Sequence, residues 1–178
     1  MAVVKTLSAV LTNRDATPPV LNANSARGGV LKSGFGSVAV GAADSATSYY
    51  PLVEVPSNAV IRGVLVSAVA GMTTLAGNIG VFKNTKNAAG VTTGVAANTG
   101  SDTIFASAQS LATVLKRSDV TQTSTTYSTD KMEQPLWQAI GLTSDPGGTF
   151  DIGIAVTTAN TGAAGRVGIE VQYVDNGS

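Results

Sequence analysis

The sequence contains no cysteine and no histidine. The first absence rules out a disulfide framework and a thiolate metal site. The second removes the commonest general base, the commonest transition-metal ligand and the side chain that switches charge near neutral pH. Charge is also scarce: 12% of residues are charged, about half the usual share for a globular domain. Eleven basic and eleven acidic residues cancel. Zero net charge exerts little long-range pull on nucleic acid or an anionic membrane, and it leaves little repulsion between copies. No apolar run approaches the ~20 residues of a membrane helix. The opening "MAVVKTLSAVLTNRD" is interrupted by Thr6, Ser8, Asn13 and Arg14. It falls short of the ~7–15-residue apolar core of a secretory leader, so the chain is expected to be cytosol-made and used as it stands.

What fills the chain instead is Ala, Gly, Ser and Thr. Small side chains lose little entropy when they pack closely on a partner. A length of 178 residues fits one domain, or one domain with an arm, and is enough to bury a core without staples. Residues 1–33 read as an extended N-terminal arm and residues 34–178 as the body. In the arm, Val3, Val4, Leu7, Val10 and Leu11 fall at helical spacing, while Val3, Leu7 and Leu11 also fit one face of a strand. Pro18-Pro19, Asn22, Asn24 and Gly28-Gly29 then favour extended, irregular backbone. The arm is either a disordered tail or a segment that docks its aliphatics, Val20 and Leu21 included, on a neighbour.

Beyond Gly34 the texture is that of short strands. Ser48–Val55 alternates, with Pro51 marking an edge or bulged strand. Ala59–Val69 is apolar on both faces, as in a strand covered on both sides. Asn78–Lys83 and Asp102–Ala108 read as further strands. Residues 84–101 read as a long loop or a slight hairpin, and residues 118–130 as a loop. Ser110–Arg117 suggests one or two helical turns, with Leu111, Val114 and Leu115 on one face. Pro135–Ile140 is the clearest helix, with proline in the first turn and Gly141 just past the end. Asp145-Pro146-Gly147-Gly148 matches a type II turn. Two strands close the chain. Phe150, Ile152, Ile154 and Val156 point inward from one, and Val167, Ile169, Val171 and Tyr173 from the other. Seven or eight short strands, one short helix and no βαβ alternation predict an all-β, antiparallel, jelly-roll-like β-sandwich.

Little in the chain carries chemistry. "GFGSVA" (Gly34, Gly36, Ala39) fits a dinucleotide fingerprint by letter, but Val38, Ala39 and Val40 continue as a strand where a helix start is required. It reads as a flexible joint between arm and body. Asp130 and Glu133 are the nearest acidic pair, and a polar run ahead of the helix, with Asp130 as a cap, explains them better than a glycosidase pair. Calcium-loop spacing is absent. Lys83/Lys86 and Lys116/Arg117 lack the aromatic interleaving of a nucleic-acid site. No catalytic, metal or cofactor residue is assigned. Trp137, the single tryptophan, is either a core anchor or an interface anchor, and Tyr49 and Tyr50 pose the same choice. Candidate partner-contact residues are therefore Val4, Leu7, Val10, Leu11, Val20, Leu21, Tyr49, Tyr50 and Trp137.

The stretches "YYPLVEVPSNAVIRGVLVSA", "GNIGVFK", "IFASAQSLAT", "LWQAIGLTSDPGGTFDIGIAVTT" and "GRVGIEVQYVDN" together resemble virion proteins of tailed bacteriophages. More narrowly, residues 47–175 resemble the small cement, or decoration, proteins of short-tailed phages. The resemblance implies a jelly-roll-like sandwich on the exterior of an icosahedral capsid, made in the bacterial host cytoplasm. Its implied partners are the major capsid protein and other copies of itself, as a homodimer or homotrimer, with no nucleic acid and no membrane. It implies no enzyme activity and no cofactor. A tail or fibre component that recognises a receptor through residues 84–101 and 118–130 is the alternative. A cell-wall hydrolase using Asp130 or Glu133 ranks last.

Overall fold

The computed structural model describes residues 8–21, 29–82, 84–86, 92–95 and 101–175. Among these residues the body strands are β1 (Leu31–Val40), β2 (Tyr49–Pro56), β3 (Val60–Ala68) and β4 (Ala76–Phe82), then β7 (Ala106–Ser110), β8 (Leu115–Asp119), β9 (Thr149–Thr158) and β10 (Gly165–Val174). Between β4 and β7 lies an antiparallel hairpin of β5 (Asn84–Lys86) and β6 (Thr92–Val95). One four-stranded sheet, sheet A, runs β1-β10-β3-β8; the other, sheet B, runs β2-β9-β4-β7. The first four body strands pair with the last four in reverse order, β1 with β10, β2 with β9, β3 with β8 and β4 with β7, always antiparallel. Such a ribbon, folded over so that its strands alternate between two facing sheets, is a jelly roll. The all-β sandwich expected from the sequence is the fold.

The core lies between the sheets. Phe150, Ile152, Ile154 and Val156 on β9 are buried, as are Val167, Ile169 and Val171 on β10, with Tyr173 half-buried against them. These are the inward sets that alternation predicts. On β3 alternation breaks: Ile61 joins Val64 and Val66 in the core. The ladder to β10 shifts between Gln172 and Tyr173, leaving Arg62 as the extra residue of a bulge, and a bulge of one residue flips the face of what precedes it. The other face of β3 is not fully covered, because Leu65 and Ser67 are only half-buried. Pro51 behaves as expected: β2 is an edge strand, and its ladder shifts between Pro51 and Val53.

Helix α2 (Leu136–Ala139) sits inside the predicted Pro135–Ile140 segment. At four residues it is too short to stand by propensity. It is held by its free N-terminal N–H groups: Leu136 N donates to Ala59 O (2.8 Å) and Trp137 N to Ser57 O (3.0 Å). Leu136 and Ala139 are buried, and Gly141 follows at φ 85°. The Asp145–Gly148 turn packs beside it. Both glycines are left-handed, Gly147 at φ 69° and Gly148 at φ 73°, where a type II turn requires only one. The Asp145 carboxylate closes this turn by accepting from Gly147 N (2.9 Å) and from Ser57 Oγ (2.6 Å).

Four readings of the sequence are corrected. The "GFGSVA" run is neither phosphate loop nor joint; it lies within β1. A Cβ on Gly36 would sit 1.9 Å from the Leu52 carbonyl oxygen, so the missing side chain lets β1 and β2 close up at one side of the sandwich. Ser110–Arg117 is not helical. It ends β7 and begins β8 as the chain crosses from sheet B to sheet A, with Leu111 buried, Leu115 half-buried and Val114 exposed. Asp102 belongs to a 3-10 turn (Ser101–Thr103), and the strand starts only at Ala106. Finally, the sheet begins at Leu31 rather than Gly34, and the arm is not extended throughout. Helix α1 (Ala9–Asp15) forms there with Ser8 as its N-cap, the Ser8 side chain accepting from Leu11 N (3.4 Å).

Candidate functional site

The outward face of sheet A gathers residues from four strands. Alternation places Phe35 of β1 and Glu170 of β10 opposite each other, and Glu170 pairs onward to Leu65 of β3, which pairs to Asp119 of β8. The next row brings Ser37, Gly168 and Ser67 together. Gly168 forms a floor: a Cβ there would lie 3.2 Å from the Phe35 ring, so Phe35 lies across the sheet rather than standing away from it. Phe35 is nevertheless 68% exposed, Val114 52% and Val69 47%. Between these side chains runs an apolar groove of about 430 Å³, completed by Leu115 and Val167. Lys116 and Arg166 line the same groove, so it presents an exposed apolar floor with basic flanks.

A polar cluster borders the groove. Glu170 Oε1 accepts from Arg117 Nη2 (2.8 Å), Ser33 Oγ (3.3 Å) and Gln172 Nε2 (3.3 Å). Arg117 first, then Gln172, hold the Glu170 carboxyl below the usual carboxylate range. Arg117 reaches Glu170 because β8 is irregular. Its ladder to β3 shifts between Val66 and Ala68, and Arg117 takes φ 51°, a left-handed conformation rare for a side-chain-bearing residue. The bulge aims the guanidinium across the sheet, and Arg117 N donates to Ser67 Oγ (3.2 Å). Arg166 Nη1 donates to Ser37 Oγ (3.2 Å) on the groove's other flank.

The residues singled out from the sequence lie elsewhere. Val4 and Leu7 fall outside the described residues, and Val10 lies on α1. Leu11, Val20 and Leu21 are exposed at 36%, 53% and 85%. Tyr49 and Tyr50 project to opposite faces of β2. The Tyr49 ring meets Phe82 edge-on at 4.5 Å, and its buried hydroxyl has no hydrogen-bond partner among the described residues. Tyr50 packs on the core and donates to Asp44 Oδ2 (2.5 Å). Trp137 is half-buried against the core. Phe35, Val69, Val114, Arg117 and Glu170 were not singled out. The cue was available for Phe35, which faces away from the inward set of β1, but Val114 was absorbed into an apparent helix.

The carboxylates are engaged in architecture. Asp44 accepts from Tyr50 and from Gly41 N (2.8 Å), which together hold its carboxyl low. Asp119 accepts from Thr121 Oγ1 (2.6 Å), and Glu54 from Thr149 Oγ1 (2.5 Å). Asp130 lies inside a 3-10 turn (Thr129–Glu133) whose cap is Ser128, and the Ser128 hydroxyl donates to it and holds its carboxyl low. Among the described residues no group of three or more acidic, Cys or His side chains is placed to hold a metal, and no helix is long and apolar enough to cross a membrane.

No protein-family model matches the chain, and no curated protein matches it in sequence. Among solved structures it is similar to a chain of the "Cyanophage Pam1 capsid asymmetric unit", with 23% identity, a TM-score of 0.49 and coverage of 82% of this chain and 85% of that one.

Proposed function

We propose that this protein is a structural component of a phage virion, a cement protein that binds the outer surface of an icosahedral capsid and ties neighbouring capsomers together. The observation that carries the reading is the outer face of sheet A. There the chain leaves an open apolar groove beside an ion pair, an exposed apolar surface of the kind that serves contact with another macromolecule. Three features support it. The jelly roll is an architecture of viral shells as well as lectins. The short strand-and-turn stretches within residues 47–175 resemble those of cement proteins. Zero net charge allows many copies to crowd on one particle with little repulsion.

In this reading the work is adhesion, without turnover or cofactor. The partners are the major capsid protein and other copies of this chain, and zero net charge exerts little long-range pull on nucleic acid or membrane. Many copies make weak contacts sufficient, since engaging one site raises the local concentration at the next. The test is co-sedimentation with empty capsids of the phage that encodes it, for the intact chain and for one lacking residues 1–30. The intact chain should pellet with capsids and the truncated one should pellet less. An intact chain that stays in the supernatant, or that binds host cells or glycans instead, overturns the reading.

A further inference from the structure

Among the described residues, large apolar side chains are exposed at the groove between Phe35 and Val114 and on the N-terminal segment with Leu11, Val20 and Leu21. We propose that they meet between copies, the N-terminal segment of one chain seating in the sheet A groove of a second copy. The proposal stands apart from the capsid reading, because it needs only this chain in solution.

Helix α1 has seven residues, well below the ~12–15 at which an isolated helix holds in water. Its cap contributes only ~1 kcal/mol. A helix of this length persists when an apolar face is packed, yet Leu11 remains 36% exposed, and Val20 and Leu21 just beyond the helix are more exposed still. Val3, Val4 and Leu7 precede its cap in sequence and add aliphatic side chains to the same segment. The groove offers the complementary surface, with Phe35, Val69, Val114 and Leu115 as walls. Among the described residues of the segment, 8–21, none lines the groove. Residues 22–30 tether the segment to Leu31, which shares the outward face of β1 with Phe35. Nine residues reach at most ~30 Å, enough to span to a copy packed alongside.

The cysteine-free sequence permits a direct test. A Leu11→Cys chain is mixed with a Val114→Cys chain and treated with a short thiol-to-thiol cross-linker. The control pairs Leu11→Cys with Ser144→Cys, an exposed position beside the Asp145 turn, which is pinned to Ser57 at the opposite end of β3 from the groove. The linked heterodimer should exceed the control on the order of tenfold, because seating raises the local thiol concentration. Adding Phe35→Asp to the Val114→Cys chain should return the yield to the control level. Yields equal to the control overturn the proposal. So does a Leu11→Cys/Val114→Cys double variant that links only within itself and stays monomeric, which would make the groove's occupant the chain's own arm.

Discussion

Tyr49 and Tyr127 carry the same hydroxyl into the interior with opposite consequences. Tyr127 is buried, meets Phe105 edge-on at 5.1 Å and donates to Ile61 O (3.1 Å). The Tyr49 hydroxyl is buried without a partner among the described residues. Burial pushes the ionisation of both phenols up, since the charged form is the one desolvation penalises. Tyr127→Phe should therefore destabilise by about 1 kcal/mol, the net worth of a buried hydrogen bond. Tyr49→Phe removes an unsatisfied group, keeps the ring on Phe82 and should be neutral or stabilising by about 1 kcal/mol. Urea unfolding of the two variants checks the contrast, and equal losses would refute it. Tyr49, Tyr50 and Trp137 also show why site residues were poorly legible in the sequence. A large aromatic suits a core edge and an interface equally, and only its neighbours in space decide.

Elements were legible where one rule governed a whole stretch. β9 and β10 were legible because large apolar residues fall at every second position and face the core, with small or polar residues between them. α2 was legible from its punctuation, Pro135 before and Gly141 after. Legibility failed where the chain changes sheets. Between β7 and β8, Leu111, Val114 and Leu115 occupy three different environments, and their spacing imitated a helix face. The groove was illegible for a related reason: it is assembled from β1, β3, β8 and β10 by ladder register, with two bulges, and register between distant strands leaves no mark in local sequence. Close approach of elements leaves a fainter one. Gly36→Ala would drive a methyl into the Leu52 carbonyl, and backbone cannot rotate aside as a side chain does. A loss of about 3 kcal/mol is expected. Gly34→Ala, which meets only Val53 Cγ1 at 2.7 Å, should cost less. Equal denaturation midpoints for the two variants would show that β1 and β2 are not held this closely.

At the scale of the whole molecule, the lack of histidine shapes the response to pH. Asp44 and Glu170 are held low in the folded state, Asp44 by the Tyr50 hydroxyl and Glu170 by Arg117. Their stabilisation is complete above the ordinary carboxylate values near ~4 and is lost as pH falls through the lowered folded values. Lys32 is raised by its hydrogen bond to Asp175, and Tyr49 and Tyr127 by burial. Their stabilisation is complete below ~10 and is lost as pH rises beyond it. Histidine, the side chain whose ordinary value falls between, is absent, so the melting temperature should be flat from about pH 5 to pH 9. A step near pH 6.5 would mean that a carboxylate is far more perturbed than its partners allow.

The proposed cement role also belongs to the whole molecule: in it the jelly roll grips a larger particle. A ligand that binds only the assembled shell must raise the temperature at which the shell comes apart. The decisive measurement is calorimetry of empty capsids with and without saturating amounts of the purified protein. A cement protein should displace the capsid transition upward in proportion to the copies bound. An unchanged transition, with the protein melting separately as it does alone, would contradict that role.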